Sequence, residues 1–421
     1  MKSVITCDME GIIETANAGS EKIFGYDKEE LIGRKRVSVF SPGEIVLQNV
    51  PKWLEKARTE GEYRTKTVFL KKDGTPFSAR IRITPTFADG KDKPQTGYCG
   101  VTEVIDEEVN PSIHWTTKLI AVLAITRMPF LSAVIMPALI GGAFAYSYTI
   151  GQGGTFEWSL FLLTLLGVAL LHLGSNVMND YFDVKDGTDG LNNDYFLQYS
   201  GGSRAVELGL ISLDNTRRLG VVLLIAAFAV GLYLTFQTGI ITLLIGLAGL
   251  ALGYFYTAPP LRLVARRGLG ELAIALAFGP LVTLGTHYVL TQELSWIAFL
   301  AGLPPGLLTA NILLINEFPD APSDAKTGKN HLVVTYGKRR SVWIYLGILT
   351  ASFLANLALV ALLPDFNLWL LVVAVLSFGA GLAIFNHIRR HYDSRQLVKS
   401  NVNTIALSAL TGLLMAVALL I

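Results

Sequence analysis

Two short acidic segments carry the side chains best suited to chemistry. The first runs Asn176-Val-Met-Asn179-Asp180-Tyr-Phe-Asp183-Val-Lys-Asp186-Gly187-Thr-Asp189. The second runs Asn316-Glu317-Phe-Pro-Asp320-Ala-Pro-Ser-Asp324-Ala-Lys326-Thr-Gly328-Lys329. Each places an Asp four residues after an Asn, Asn179 to Asp183 and Asn316 to Asp320. Four residues is about one helical turn, so each pair projects from one face. Donor sets made only of oxygen suit Mg2+, which takes carboxylates together with phosphate oxygens and water. Two such clusters brought together would repel each other unless cations lay between them. Arg204, Lys326 and Lys329 lie within or beside the segments and can hold a diphosphate through charge-assisted hydrogen bonds. A metal-bound diphosphate leaves readily, because the metal neutralises charge developing on its oxygens. The alternative is a pair of solvated acidic loops, but matched spacing beside two apolar spans favours the chemical use.

The elements that must position these segments are apolar. Of 35 Lys+Arg and 33 Asp+Glu, 17 and 18 fall in residues 1–116, leaving 18 and 15 for the remaining three hundred or so. Two domains in two solvents follow, one aqueous and one lipid. A bilayer needs about 20 mostly apolar residues per helix. Nine stretches qualify, roughly 129–148, 158–179, 218–236, 239–256, 269–291, 295–316, 341–363, 367–387 and 402–421. Uniformly apolar runs exclude the alternating pattern of a membrane barrel. The connections after the even-numbered spans hold the basic residues, among them Arg204, Arg262, Arg267, Lys329, Arg339 and Arg390. Those after the odd-numbered spans hold only Glu157, Glu293 and Asp365. The positive-inside rule then puts the N-terminus and both acidic segments in the cytoplasm and the C-terminus outside, in a multi-pass protein of the inner (cytoplasmic) membrane. The opening residues MKSVITCDMEG lack the apolar core of a signal peptide, so targeting falls to the first span. A net charge of +2 argues against a nucleic-acid partner.

With these motifs assembled, residues 117–421 resemble the UbiA superfamily of intramembrane aromatic prenyltransferases. The resemblance rests on Asn179-Asp-Tyr-Phe-Asp183, the Asp320-xxx-Asp324 pair and nine spans. Arg127-Met-Pro129, Ser200-Gly-Gly-Ser-Arg204, Tyr256-Thr-Ala-Pro-Pro260 and Gly270-Glu271 through Phe278-Gly-Pro280 add to it. It is similar above all to the 1,4-dihydroxy-2-naphthoate branch, which makes menaquinone precursors. The resemblance implies Mg2+-dependent transfer of a polyprenyl group from its diphosphate to an aromatic acceptor, with loss of the ring carboxylate in that branch. It also implies site residues. Asn179, Asp183 and Asp189 match the first motif, and Asn316, Asp320 and Asp324 the second. The metal would lie on Asp183, Asp189, Asp320 and Asp324, with Asp180 and Asp186 as further candidates. Arg127, Arg204, Tyr256, Arg262 and Lys329 would contact substrate. The general Asn-xxx-Asp-xxx-Asp pattern would end on residue 187, a glycine here, so Asp186 or Asp189 must supply that acid. Pro319 and Pro322 bracket Asp320 and put a continuous helix there in doubt. Other acceptors of the superfamily (4-hydroxybenzoate, homogentisate, a glycerol-lipid phosphate) stay open, as does a non-enzymatic membrane receptor or transporter. No output module follows the spans, however, and a transporter would carry its polar residues at mid-membrane depth.

Polar residues within the spans leave two uses open. His172 and Asn311 can act on substrate or bond between helices. Gly141, Gly246, Gly249, Gly253 and Gly302 are expected to admit close helix packing. His287 is expected to be structural, and Glu271 to favour a helix N-terminus.

Residues 1–108 alternate strand and short-helix patterns, with hairpin signals at Glu10-Gly11 and Asp73-Gly74. The order Asp8-xx-Gly11, Asn17, Phe24-Gly-Tyr26, Glu30-Leu-Ile-Gly33, Lys72-Asp-Gly74 and Gly97 to Val104 is similar to PAS domains. That family binds small ligands or dimerises, which implies regulation by an unidentified ligand or dimerisation through this domain. The first histidine is His114, which argues against a His-ligated haem, and the cysteine motif of flavin photoreceptors is absent. Cys7 and Cys99 give neither a metal spacing nor a disulfide framework, and strand cysteines are commonly inert. The expected organisation is an α+β PAS-like sensor domain (1–108), a linker (109–116) and an all-α, nine-helix transmembrane prenyltransferase bundle (117–421).

Overall fold

In a computed structural model the chain divides into two compact units, Met1–Ala124 with Ala205–Ile211, and Ile125–Arg204 with Ser212–Ile421. The structure describes residues 1–9, 11–41, 49–73, 75–87, 90, 94–109, 122–123, 125–185, 206 and 211–421.

The first unit is an antiparallel five-stranded sheet in the order β2-β1-β5-β4-β3. Its elements are β1 (Lys2–Asp8), β2 (Ile13–Ala16), α1 (Ala18–Phe24), α2 (Lys28–Leu31), α3 (Asn49–Glu60), β3 (Tyr63–Leu70), β4 (Pro76–Thr86) and β5 (Gly97–Val104). Strand alternation sends Ser3, Ile5 and Cys7 of β1 to the buried face. There Ile5, Ile13, Phe24, Leu31, Phe40 and Phe69 pack together, with Phe24 and Phe40 stacked at 3.9 Å between centroids. Each such side chain contributes about 1.5–3 kcal/mol by leaving water. Asn17 has two tasks: its Oδ1 accepts from Val4 N (3.0 Å) and from Ser20 N (2.9 Å), tying β1 to the start of α1. The expected hairpins are present as β1–β2 and β3–β4 pairings, although Glu10 and Gly74 themselves lie outside the described residues.

The second unit is helical: α4 (Ser132–Gly151), α5 (Trp158–Lys185), α6 (Leu213–Thr238), α7 (Ile240–Phe255), α8 (Leu269–Thr291), α9 (Trp296–Lys326), α10 (Leu332–Tyr336), α11 (Lys338–Leu362), α12 (Leu368–His391) and α13 (Leu397–Ala418). Eight of these are long and apolar enough to cross a membrane; the expected fourth span is only the 16-residue α7. At 1.5 Å per residue α7 reaches about 24 Å, short of a bilayer core of about 30 Å. None of its residues is buried.

Two expectations about the acidic segments are corrected. They are not loops. α5 continues to Lys185 and α9 to Lys326, so 179–183 and 316–324 are terminal helical turns. The prolines do not interrupt α9 either, which runs unbroken through Pro304, Pro305, Pro319 and Pro322. Proline's fixed φ is already helical, and its cost lies in a lost hydrogen bond and a steric clash. Burial offsets that cost here. Leu314, Ile315 and Phe318 are at most 1% exposed, in a core shared with Tyr345 and Leu349 of α11 and Ile388 of α12.

α8 and α9 touch backbone to backbone. A Cβ on Gly279 would lie 2.2 Å from the Gly302 carbonyl, and one on Gly306 2.1 Å from the Ala275 carbonyl. The contact falls at a π-helical widening, Ala277–Leu281, that contains Pro280 and turns Phe278 out of helical geometry (ψ 15°). Gly141 and Gly253 are also tight, whereas Gly246 has nothing within 4 Å.

Two outcomes follow. Gly306→Ala should cost about 1–3 kcal/mol or more through overpacking, read as a lower Tm in detergent, whereas Gly246→Ala should leave Tm unchanged or slightly higher. In the first unit, burial pushes the Cys7 thiol up to about 11. Iodoacetamide at pH 8 should therefore alkylate the half-buried Cys99 well before Cys7, and equal labelling by mass spectrometry would contradict the packing of β1.

Candidate active site

α5 and α9 bring the two acidic segments to one end of a single cavity of about 360 Å3. α5 contributes His172, Asn176, Asn179 and Asp183; α9 contributes Asn316, Glu317, Asp320 and Asp324. Along α5 these residues recur every three to four positions, so one helical stripe faces the cavity from mid-span to its end. Arg127, Tyr256, Lys329 and His331 complete the polar end. Beyond it the walls are apolar, with Leu171, Leu224, Phe228, Leu247, Phe278 and Val289 among them.

A chain reversal delivers the cation. α9 ends at Lys326, and Gly328, at φ +75°, turns the chain so that Lys329 N donates to the Asp324 carbonyl at 3.0 Å. The Lys329 side chain is thereby folded inward. Its Nζ lies 2.6 Å from Asp183 Oδ1 on α5 and 4.0 Å from Asp324 Oδ1 on α9. An ammonium thus lies between the two acidic segments. Lys329, Asp183 and Asp324 are each less than 9% exposed, so removing Lys329 leaves Asp183 as an uncompensated buried charge, at a cost of about 3–5 kcal/mol.

His331 extends the network. Its Nε2 is 3.2 Å from Asp324 Oδ2 and its Nδ1 is 3.1 Å from Glu317 Oε2. Burial opposes charge on this imidazole, but Glu317 and Asp324 outweigh it and raise its pKa to about 10. Glu271 lies in the first turn of α8, as expected, and also accepts from Leu332 N at 2.8 Å, so it holds the start of α10. Asn401 of α13, fully buried, donates to Asn316 Oδ1 at 2.7 Å. Arg127 is held by Asp180 at 2.9 Å.

Most of the residues expected from the sequence therefore meet: Asn179, Asp183, Asn316, Asp320, Asp324, Arg127, Tyr256 and Lys329 all line the cavity. Asp180 does not; it faces Arg127 instead. Arg262 does not line it either. Asp186, Asp189 and Arg204 lie outside the described residues. Asn311 serves the helix interface, donating to the Tyr345 carbonyl at 3.1 Å, and His172 faces both the cavity and Asn176 (3.0 Å). Gly246 and Gly249, expected at helix contacts, line the cavity wall. Sequence reasoning missed Glu317, His331 and Asn401. Glu317 had a signal, its place inside the second acidic segment beside Asn316, whereas His331 and Asn401 had none.

Do these residues suit a magnesium ion? Among the described residues no three His, Cys, Asp or Glu side chains surround a common point. The donors nevertheless suit an ion shared with substrate, because Mg2+ needs only one or two carboxylates when phosphate oxygens and water supply the rest. Asn179 Oδ1, buried and without a hydrogen-bond partner among the described residues, belongs to the same oxygen set.

Comparisons with known proteins show the family and the fold. The model of the UbiA prenyltransferase family matches residues 134–418, and a PAS domain model matches residues 2–103. A 2-carboxy-1,4-naphthoquinone phytyltransferase from Synechocystis is 27% identical over 296 residues, 70% of this chain and 91% of that protein. A 1,4-dihydroxy-2-naphthoate octaprenyltransferase from Bacillus subtilis is 27% identical over 235 residues, 54% of this chain and 68% of that one. In fold, 70% of the chain is similar to a UbiA homolog from Archaeoglobus fulgidus solved with DMAPP and Mg2+ (TM-score 0.52, 18% identity, 99% of that chain covered). With the family model spanning most of its length, the chain belongs to the UbiA prenyltransferase family: it is a multi-pass membrane enzyme that transfers prenyl groups, with a PAS domain at its N-terminus.

Proposed function

We propose that this enzyme transfers a polyprenyl group from its diphosphate to 1,4-dihydroxy-2-naphthoate, with magnesium at the acidic end of the cavity and regulation through the PAS domain. One observation carries the reading: Asn179 and Asp183 on α5 and Asn316, Asp320 and Asp324 on α9 line the polar end of one otherwise apolar cavity. The relatives named for naphthoate substrates support the acceptor. The distribution of basic residues between spans supports a cytoplasmic placement of the acidic end and the PAS domain.

Asp183, Asp320 and Asp324 would hold the ion, with Asp189 as a fourth carboxylate. Magnesium supplies neutralisation of the charge that grows on the diphosphate oxygens as the C–O bond breaks. Lys329 and Arg127 add positive charge at the same end and orient the head group. Leu171, Leu224, Leu247 and Val289 receive the isoprenoid tail, each buried CH2 contributing about 0.8 kcal/mol. These walls also exclude water, which would otherwise capture the allylic cation. Phe278, in the same wall, offers an aromatic ring that can stabilise that cation. The electron pair of the broken C–O bond leaves with the diphosphate, a ring carbon forms the new C–C bond, and loss of the ring carboxylate as CO2 restores aromaticity.

Expression in a bacterium lacking its naphthoate prenyltransferase should restore prenylated naphthoquinones detectable by mass spectrometry. Their absence, with products from 4-hydroxybenzoate or homogentisate instead, would move the acceptor. Asp320→Asn should lower Mg2+-dependent turnover by about 100-fold or more while the purified protein stays folded. Removing residues 1–108 should change the response of turnover to ligands or redox state; identical kinetics under all of them would rule out regulation by the PAS domain.

A further inference from the structure

We infer that His331 is a positioning residue: backed by Glu317, it fixes one oxygen of Asp324 and so presets that carboxylate for the metal and the diphosphate. The inference rests on the role given to Asp324 above. His331 is 1% exposed and lies between carboxylates on both sides, Glu317 Oε2 at 3.1 Å from Nδ1 and Asp324 Oδ2 at 3.2 Å from Nε2. Each carboxylate sets the ring orientation for the other. The consequence for Asp324 is asymmetric. Its Oδ2 is committed to the imidazole, whereas its Oδ1 faces Lys329, on the side of Asp183. A carboxylate held at one oxygen cannot rotate away, so its second oxygen stays directed at the site.

The ring itself is held from behind. Glu317 is 5% exposed, and its Oε2 lies 3.1 Å from Nδ1 as an ion-pair contact, a nitrogen that also accepts from Val334 N at 3.4 Å; neither Glu317 oxygen makes a hydrogen bond among the described residues. Its contact with His331 is therefore its main polar interaction there. The backbone at His331 is fixed as well, because the next residue, Leu332, donates to Glu271 Oε1. Hydrogen-bonded partners of metal-binding carboxylates commonly govern affinity by 10–100-fold. A residue that merely stapled α10 to α9 would lower stability and leave metal affinity alone.

The test uses the full chain purified in detergent, with Mn2+ alone as the probe, followed by the loss of its free EPR signal. It also takes the Mg2+ concentration that half-saturates turnover. His331→Ala should weaken Mn2+ binding and raise the Mg2+ requirement by about tenfold or more, with KM for the aromatic acceptor unchanged. His331→Gln, which keeps one N–H donor, should recover part of the loss. Mn2+ binding by His331→Ala equal to that of the parent overturns the inference. Should His331→Ala fail to fold, Glu317→Gln decides on the same readouts: a smaller weakening supports positioning, and no change refutes it. Asp324→Asn separates the two levels. If it weakens metal binding and His331→Ala does not, only this inference falls; if it changes neither readout, the reading of the site falls with it.

Discussion

Buried carboxylates from two helices far apart in sequence have to share one end of an apolar cavity, and Lys329 is what reconciles them. Its ammonium lies 2.6 Å from Asp183 on α5 and 4.0 Å from Asp324 on α9. At separations of about 4 Å, like charges in a medium less polar than water repel by several kcal/mol. The helices can therefore end side by side only if positive charge accompanies them. His331 sits in the same way between Glu317 and Asp324, which favour the charged form of its ring. A site balanced by its own cations is also one that can accept others, since a diphosphate with its metal brings both signs of charge to the same place.

The rest of the bundle serves that arrangement. Backbone contact between α8 and α9 at Gly279, Gly302 and Gly306 fixes the depth of α9, and the shared core around Phe318 and Tyr345 fixes its rotation. Asn401 reaches from α13 to Asn316, so the last helix orients a residue of the second acidic segment. The π-helical widening at Pro280 sets Phe278 into the cavity wall. Water exclusion, aromatic surface and charge are thereby placed along one axis, the charge at one end and hydrocarbon along the remainder.

Much of this was legible in the sequence, for physical reasons. Spacing of four residues between Asn and Asp reports a helical face whatever surrounds it, and long apolar runs report lipid-facing helices. Strand patterns with hairpin signals at Glu10-Gly11 and Asp73-Gly74 likewise reported the sheet of the first unit. What escaped depended on packing. Pro319 and Pro322 argued for a broken helix because local cost is visible in sequence and compensating burial is not. Gly246 read as a packing glycine because sequence does not show which face of α7 meets another helix. His331 and Asn401 carried no pattern at all; they matter through partners 14 and 85 residues away, Glu317 and Asn316. The short α7 shows a further limit, since hydropathy marks an apolar stretch but not where its helix stops.

The first unit has its own core among the described residues, and its PAS-like features have structural duties: Asn17 joins β1 to α1, and Asp8 accepts from Ile12 N at 2.8 Å. The central claim concerns the other unit. Its most direct test is a structure of the full chain with Mn2+ and an unreactive prenyl thiodiphosphate, the metal located by anomalous scattering. The account predicts manganese and the diphosphate among Asp183, Asp320 and Asp324, with Lys329 contacting a phosphate oxygen and the tail along the Leu171 and Phe278 walls. A diphosphate bound elsewhere, with the Lys329–Asp183 pair intact and no metal between α5 and α9, would contradict it.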